Sequence, residues 1–420
     1  MKVLGLITEY NPFHNGHLYH LEESIKLTNS THSIAVMSGN FLQRGEPALI
    51  HKWARAEMAV RAGVDLILEI PTVYASSSAE WFAYGSVKLL DQLGIVDTIC
   101  FGSEEGDLEL LKEIAKVFVD SPASFEGFLK ELLKEGLSFP VARSKGLIQY
   151  LREKGTYNQK ILDKVQDLVE TPNNILSIEY LKVLREMNSS IIPYTILRKK
   201  APYHSTSLEG NIASATAIRE FLKKDNLLLG IKHTVPETTY NLLTVSFKDG
   251  IGPVFADDFQ QSIFTLLRRA SFEELREIQD VVEGLENKIK DSSLNCSSLQ
   301  ELFNLVKSKR YTYTRLQRII IHLLLSIKKQ DIIEFKEAGG PQYIRILAFN
   351  DRGRELLKRM KDKASLPIIN KIPQLENLTP IAKRMLEIDI GATNIYSLAI
   401  NNKELSDKQL DYYISPVYVK

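Results

Sequence analysis

The sequence predicts an α/β protein with a Rossmann-like, doubly wound parallel sheet in its first half and a helix-rich C-terminal region. Three observations lead there. Short apolar runs of five to seven residues recur through the first hundred residues, each closed by turn-forming or polar residues. The stretches between them carry apolar residues at helical spacing, so the order reads βαβαβαβ. After Asp225 this alternation stops and helical periodicity dominates.

The first strand is Val3 to Ile7, ended by Asn11-Pro12-Phe13, where Pro12 removes a donor and biases Asn11 away from helix. A helix follows from Leu18 to Leu27. Ser33 to Met37 is the second strand and ends at Ser38-Gly39-Asn40. Trp53 to Arg61 is the next helix. Val64 to Ile70, stopped by Pro71, is the third strand. Ala79 to Leu93 is helical, and Val96 to Phe101 is the fourth strand, ending at Gly102-Ser103-Glu104. Asp107 to Leu151 reads as amphipathic helices inserted into the sheet, and Pro172 suits the first turn of another helix. Ile191 to Leu197 is a fifth strand-like run. Ser214 is a good N-cap for the segment that follows. Later helices are expected at 259–268, 271–287, 298–307, 315–328 and 352–360. The expected organisation is an α/β domain over residues 1–225, with a helical insertion at about 107–170, and a mostly helical region over 226–420.

Composition narrows the classes of function. At 420 residues, 44% hydrophobic and 25% charged, the chain has the make-up of a soluble globular protein of two or three domains. A net charge of +1 means that any nucleic-acid surface must be local. Cys100 and Cys296 cannot form a disulfide framework and belong to no zinc pattern, which fits a reducing cytoplasm. No signal peptide is expected, and the longest apolar run, Ile319 to Ile327, is too short for a membrane span and is broken by His322.

The chemistry-bearing residues cluster at strand ends, where open α/β sheets bind ligands. His14-Asn15-Gly16-His17 falls where the first strand hands over to a helix. A helix start offers unpaired N–H groups and a positive dipole end, and imidazoles there can donate to a phosphate whose charge is being redistributed. Gly16 lets a phosphate or a flat ring approach the backbone. Arg44, Lys52 and Arg55 follow the second strand. Arg44 and Lys52 are equally readable as anion ligands or solvated charges, and Arg55 reads as solvated. Gly102 adds no bulk after the fourth strand. Asn173 or Asn174 can cap a helix or bond a base, and Arg198-Lys199-Lys200 ends the fifth strand. Ser214, Thr216 and Arg219 place hydroxyls and a guanidinium at one helix start, suited to a leaving pyrophosphate.

In the second half, Lys307 to Arg318 stands out. Between Glu301 and Gln330 there is an excess of six positive charges, a local footprint for a polyanion. Tyr311 and Tyr313 add surfaces on which unpaired bases stack. The candidate RNA-binding residues are Lys307, Lys309, Arg310, Tyr311, Tyr313, Arg315 and Arg318. Tyr343-Ile344-Arg345 and Asp351 to Arg354 read as further basic stretches.

His14-Asn15-Gly16-His17 resembles the HxGH signature of the nucleotidyltransferase superfamily, and Ser214 to Arg219 resembles the element that closes its active site. Taken together, GLITEYNPFHNGHLYHL, MSGNFLQRGEPALIHKWARAEMA, FGSEEGD, TPNNILSIEYLKVL, SATAIRE and KSKRYTYTRLQR resemble the bacterial tRNA(Met) cytidine acetate ligase family over nearly the full length. The resemblance implies an HxGH-type sheet and a cytoplasmic ligase. It would activate acetate with ATP as acetyladenylate, release pyrophosphate, and acetylate N4 of the wobble cytidine of elongator tRNA(Met). It implies His14, His17 and Arg219 as catalytic residues. It further implies an ATP site built from Ile7, Thr8, Glu9, Tyr10, Asn11, Pro12, Phe13, His14, Asn15, Gly16, His17, Leu18, Tyr19 and His20, completed by Gly102, Asn173, Arg198, Ser214 and Thr216. Arg44 or Lys52 would steer acetate, on charge alone. Magnesium would escort the triphosphate, with no carboxylate cluster marking a metal site, and no protein partner is implied. Two other readings remain open: an adenylyltransferase acting on a small phosphate ester, and a non-catalytic RNA-binding protein on the same scaffold.

Overall fold

The computed structural model describes residues 1–155, 157–198, 210–225, 227–282, 284–308, 310–372 and 378–420. Its eight strands are β1 (Val3–Thr8), β2 (His32–Ser38), β3 (Leu66–Ile70), β4 (Thr98–Ser103), β5 (Ile192–Leu197), β6 (Ile344–Phe349), β7 (Ile368–Ile369) and β8 (Val417–Tyr418). The five strands expected in the first half are present, with ends shifted by a residue or two. The chain divides into two compact units, Met1–Val96 with Lys200–Lys420, and Asp97–Lys199.

In the first unit β1, β2 and β3 run parallel, with Val3 opposite His32 and Ile34 opposite Leu66. Their side chains are buried because both faces are covered, as parallel strands require. The absence of a side chain at Gly5 admits Leu90 of the helix Ala79–Gln92, which would lie 3.1 Å from an added Cβ. The second unit pairs β4 with β5 in parallel, Thr98 opposite Ile192, and carries five helices between 108 and 186.

The second half of the chain departs from the helical expectation. Residues 343–345 are not a basic surface: β6 runs antiparallel to β3, with Glu69 opposite Arg345, and β7 and β8 both pair with β6. The division of contacts therefore does not fall at residue 225. The reason is electrostatic. Lys52 is fully buried, its Nζ 2.8 Å from Glu69 and 2.8 Å from Asp411. Arg345 bonds the same two carboxylates, at 3.3 Å and 2.6 Å. Two cations balance two anions out of water, where an unpaired charge is not tolerated. Burial opposes ionisation of Asp411, yet Lys52 and Arg345 hold its carboxyl below the ordinary value. A third carboxylate, Asp389, accepts from Tyr343 Oη and from the Thr72 N–H at 2.7 Å. Burial, and then the charge of Glu69, push it up to about 6.

Two outcomes follow for stability. Replacing Lys52 with Met strands two buried carboxylates on one remaining cation and costs about 3–5 kcal/mol in urea unfolding. Asp389 has a folded pKa above its unfolded one. Its contribution is therefore complete below about pH 4 and is lost as pH rises through about 6. Asp389→Asn removes this dependence, so the urea midpoint of wild type relative to the variant falls between pH 4 and 7.

Candidate nucleotide-binding site

The helix Asn15–Thr28 begins with His14 as its N-cap, in extended backbone conformation. Gly16 N–H donates to His14 Nδ1 at 3.0 Å, and His14 N–H donates to His17 Nδ1 at 3.2 Å. This is a capping box built from two imidazoles. A ring nitrogen that accepts carries no proton, so both rings are held as the tautomer protonated at Nε2. The rings stack with centroids 3.7 Å apart. A Cβ on Gly16 would sit 2.8 Å from His14 Cε1, so only glycine permits the cap.

The preceding residues support this pair from below. Tyr10 and Phe13 are core residues, and both pack against the His17 ring, at 5.0 and 5.6 Å between centroids. What they can offer a ligand is main chain, not side chain. Asn11 is likewise buried, its Oδ1 accepting from the Leu49 N–H at 2.7 Å. Pro12 follows a cis peptide bond. Thr8 ends β1, while Ile7, Leu18, Tyr19 and His20 are partly covered. Asn15 Nδ2 donates to the carbonyls of Asn211 and His233, at 2.8 and 3.0 Å, which brings the later motif to this helix start.

That motif is a helix, Ala215–Asp225, with Ser214 Oγ accepting from Ala217 N–H at 3.1 Å. Ser214 thus serves as its N-cap, and Thr216 lies part-exposed in its first turn. Arg219 donates to the Asn11 carbonyl at 3.1 Å and to Glu46 Oε2 at 2.7 Å. The structure therefore joins His14, His17, Ser214, Thr216 and Arg219 in one region of the first unit. Glu9 lies there too, accepting from the Gln43 N–H at 2.8 Å. Burial raises its carboxyl above the usual range, opposed by that bond and by Arg219 and Arg44.

Two cations depart from expectation. Lys52 cannot meet acetate, because its ammonium is enclosed by Glu69 and Asp411. Arg55 is not solvated: it is fully buried and donates to the carbonyls of Glu9, Ser38, Gly39 and Ile50. It shapes the turn between β2 and the next helix. Arg44 is exposed, and its charge acts on Glu9.

In the second unit Gly102 lies under Arg198, whose Cγ is 3.0 Å from an added Cβ. Asn173 Nδ2 donates to Glu104 Oε1 at 2.6 Å, and Asn174 Oδ1 accepts from the Glu104 N–H at 3.0 Å. The two asparagines therefore fix the loop after β4. Lys199, Lys200 and Lys309 lie outside the described residues.

The basic segment is less open than its charge count implies. Arg318 is largely covered and pairs with Asp280 at 3.5 Å, and Arg315 donates to the Asp280 carbonyl at 2.7 Å. Burial lowers the Arg318 pKa from its ordinary value. Lys329 is bonded to the carbonyls of Arg276 and Val281. Lys307 and Arg310 are exposed. Tyr311 is faced by the guanidinium groups of Arg310 and Arg315, at 5.7 and 5.4 Å, while Tyr313 packs edge-on against Phe303. Glu46, Gln43 and Glu104 were not singled out from the sequence. The one local signal was the turn Gly45-Glu46-Pro47.

Residues 1–411 match the HIGH Nucleotidyl Transferase family. The chain is 51% identical to the tRNA(Met) cytidine acetate ligase of Alkaliphilus metalliredigens (strain QYMF), over 100% of this chain and 99% of that one. It is 48% identical to the enzyme of the same name from Caldanaerobacter subterraneus subsp. tengcongensis, over 98% of each. Among solved structures it resembles Thermotoga maritima TmcAL bound with alpha-thio ATP, with TM-score 0.93 and 37% identity over 100% of this chain and 99% of that one. The apo form I of that protein gives TM-score 0.95 at 38% identity, covering 100% of both chains. On the HxGH helix start, the sheet that presents it and this full-length similarity, the chain belongs to the tRNA(Met) cytidine acetate ligase family of HIGH nucleotidyl transferases.

Proposed function

We propose that the protein activates acetate with ATP and acetylates N4 of the wobble cytidine of elongator tRNA(Met). The observation that carries this reading is the pair of stacked imidazoles at a helix start, each accepting a main-chain N–H at Nδ1. An acetate oxygen attacks the α-phosphorus, and the bond to the β-phosphate oxygen breaks. Acetyladenylate forms and pyrophosphate leaves. Charge builds on the α-phosphate oxygens during this step. The Nε2–H groups of His14 and His17, with the N–H groups of the first helical turn, are oriented beforehand to receive it. Arg219, held between the Asn11 carbonyl and Glu46, supplies the cation for the leaving pyrophosphate, with Ser214 and Thr216 beside it. In the second step the cytidine N4 attacks the acetyl carbonyl, loses a proton, and AMP departs.

Glu9, Asn15, Leu18, Tyr19, His20 and the backbone of residues 7–13 are assigned to the nucleotide, and Gly102, Asn173 and Arg198 are assigned to it from the family resemblance alone. Arg44 is the acetate cation in this reading. Among the described residues no group of three or more His, Cys, Asp or Glu side chains converges on a metal position. Magnesium, in this reading, would enter with the triphosphate as part of the substrate. Lys307, Arg310, Tyr311, Tyr313 and Arg315 would meet the tRNA, and Lys309 is assigned to the same surface from the sequence. Arg318 supports that surface through Asp280. Cytoplasmic residence agrees with a chain of two cysteines, both buried. Among the described residues no helix is long and apolar enough to cross a membrane.

The test is acetate-dependent pyrophosphate release from ATP, followed by nucleoside analysis of elongator tRNA(Met). Formation of N4-acetylcytidine is the expected result. Turnover with a phosphorylated metabolite and none with acetate would move the assignment to a small-molecule adenylyltransferase. His17→Ala should lower adenylate formation by about 10²–10³-fold or more, with tRNA binding largely retained in a filter assay. Equal loss of both would contradict separate nucleotide and RNA sites.

A further inference from the structure

The loop after β2 is a small closed hairpin. Phe41 bridges to Pro47, Leu42 N–H donates to the Glu46 carbonyl at 2.9 Å, and Gly45 N–H donates to the Leu42 carbonyl at 2.9 Å. Gly45 has φ +74°, and a Cβ there would fall 2.3 Å from the Arg318 backbone nitrogen. The hairpin thus rests directly on the backbone of the helix Tyr313–Leu325, which follows the basic segment. Its other side faces the nucleotide region at two points. The Gln43 N–H holds Glu9, and Glu46 Oε2 holds Arg219 at 2.7 Å. The second Glu46 oxygen accepts from Gln317 Nε2 at 3.4 Å. One carboxylate therefore joins the pyrophosphate-side arginine to the helix of the RNA segment, through a hairpin with little internal freedom.

We propose that Glu46 is a positioning residue coupling the two substrates: RNA seated on residues 307–315 fixes the helix, the helix fixes the hairpin, and Glu46 fixes Arg219 for ATP. This rests on the reading that Arg219 serves the nucleotide and residues 307–315 serve RNA. Coupling between binding sites is reciprocal, so ATP must tighten RNA by the factor by which RNA tightens ATP.

The experiment measures equilibrium binding of a non-hydrolysable ATP analogue with and without elongator tRNA(Met), and of the tRNA with and without the analogue. Wild type, Glu46→Gln and Gln317→Met are compared. In wild type each ligand should tighten the other by about fivefold or more. In Glu46→Gln the factor should fall to one in both directions, and in Gln317→Met, which keeps the Gly45 contact, it should fall at least twofold. Gln317→Met should leave acetate-dependent pyrophosphate release without tRNA unchanged, which a general loss of structure would not. A factor of one in wild type overturns the proposal, as does a factor retained in Gln317→Met. Should Glu46→Gln fail to fold, Gln317→Met decides alone. Acetate-dependent turnover by wild type is measured separately. Its absence counts against the functional reading, whereas unchanged coupling in the variants counts against Glu46.

Discussion

The loop and helix beside the paired histidines are built on a balanced group of charges buried away from water. Lys52 and Arg345 share Glu69 and Asp411, and these four side chains come from a helix, two strands and a short helical turn. Removing charges from water is costly, and good mutual geometry offsets that cost without a large surplus. The group's value is therefore positional. It fixes β6 against β3 and the first turn of the helix Lys52–Arg61, and the hairpin after β2 is braced on that frame. Arg55, one helical turn from Lys52, completes the frame by tying four carbonyls of two loops.

On this base the side chains of the site are oriented by the protein's own hydrogen bonds. Each imidazole is oriented by a main-chain N–H, the two rings are stacked, and both terminal guanidinium nitrogens of Arg219 are bonded. Dipoles that are already aligned need no reorganisation as charge develops, which is where such sites gain most of their rate. The same ordering lets a contact at one surface be felt at another. Packed backbones with discrete arrangements transmit small displacements instead of absorbing them.

What could be read from the sequence divides along physical lines. Strands β1 to β5 were legible because buried parallel strands are nearly continuous apolar runs. The HxGH helix start was legible because a cap is a local arrangement within four residues. Strand β6 was not, since Arg345 in its middle is acceptable only with Glu69 and Asp411 beside it. The burial of Lys52 and Arg55 is hidden in the sequence for the same reason. A cation near a loop reads as exposed until its distant partners are known. Glu46 depends on a close backbone approach at Gly45, and a single glycine does not say what it approaches.

Long-range bonds in this unit have a consequence for how the chain is made. Asn40 bonds Thr393 across 353 residues, and Tyr396 bonds the Ala48 carbonyl across 348. During synthesis the amino-terminal strands emerge well before the segments that neutralise Lys52 and Glu69. The nascent polypeptide must hold an unfinished, charged interior until its late segments leave the ribosome. Contacts of such sequence separation close slowly. The unit that holds the histidines therefore matures after translation of its last helices, while residues 97–199, one continuous stretch of chain, can fold ahead of it on the ribosome.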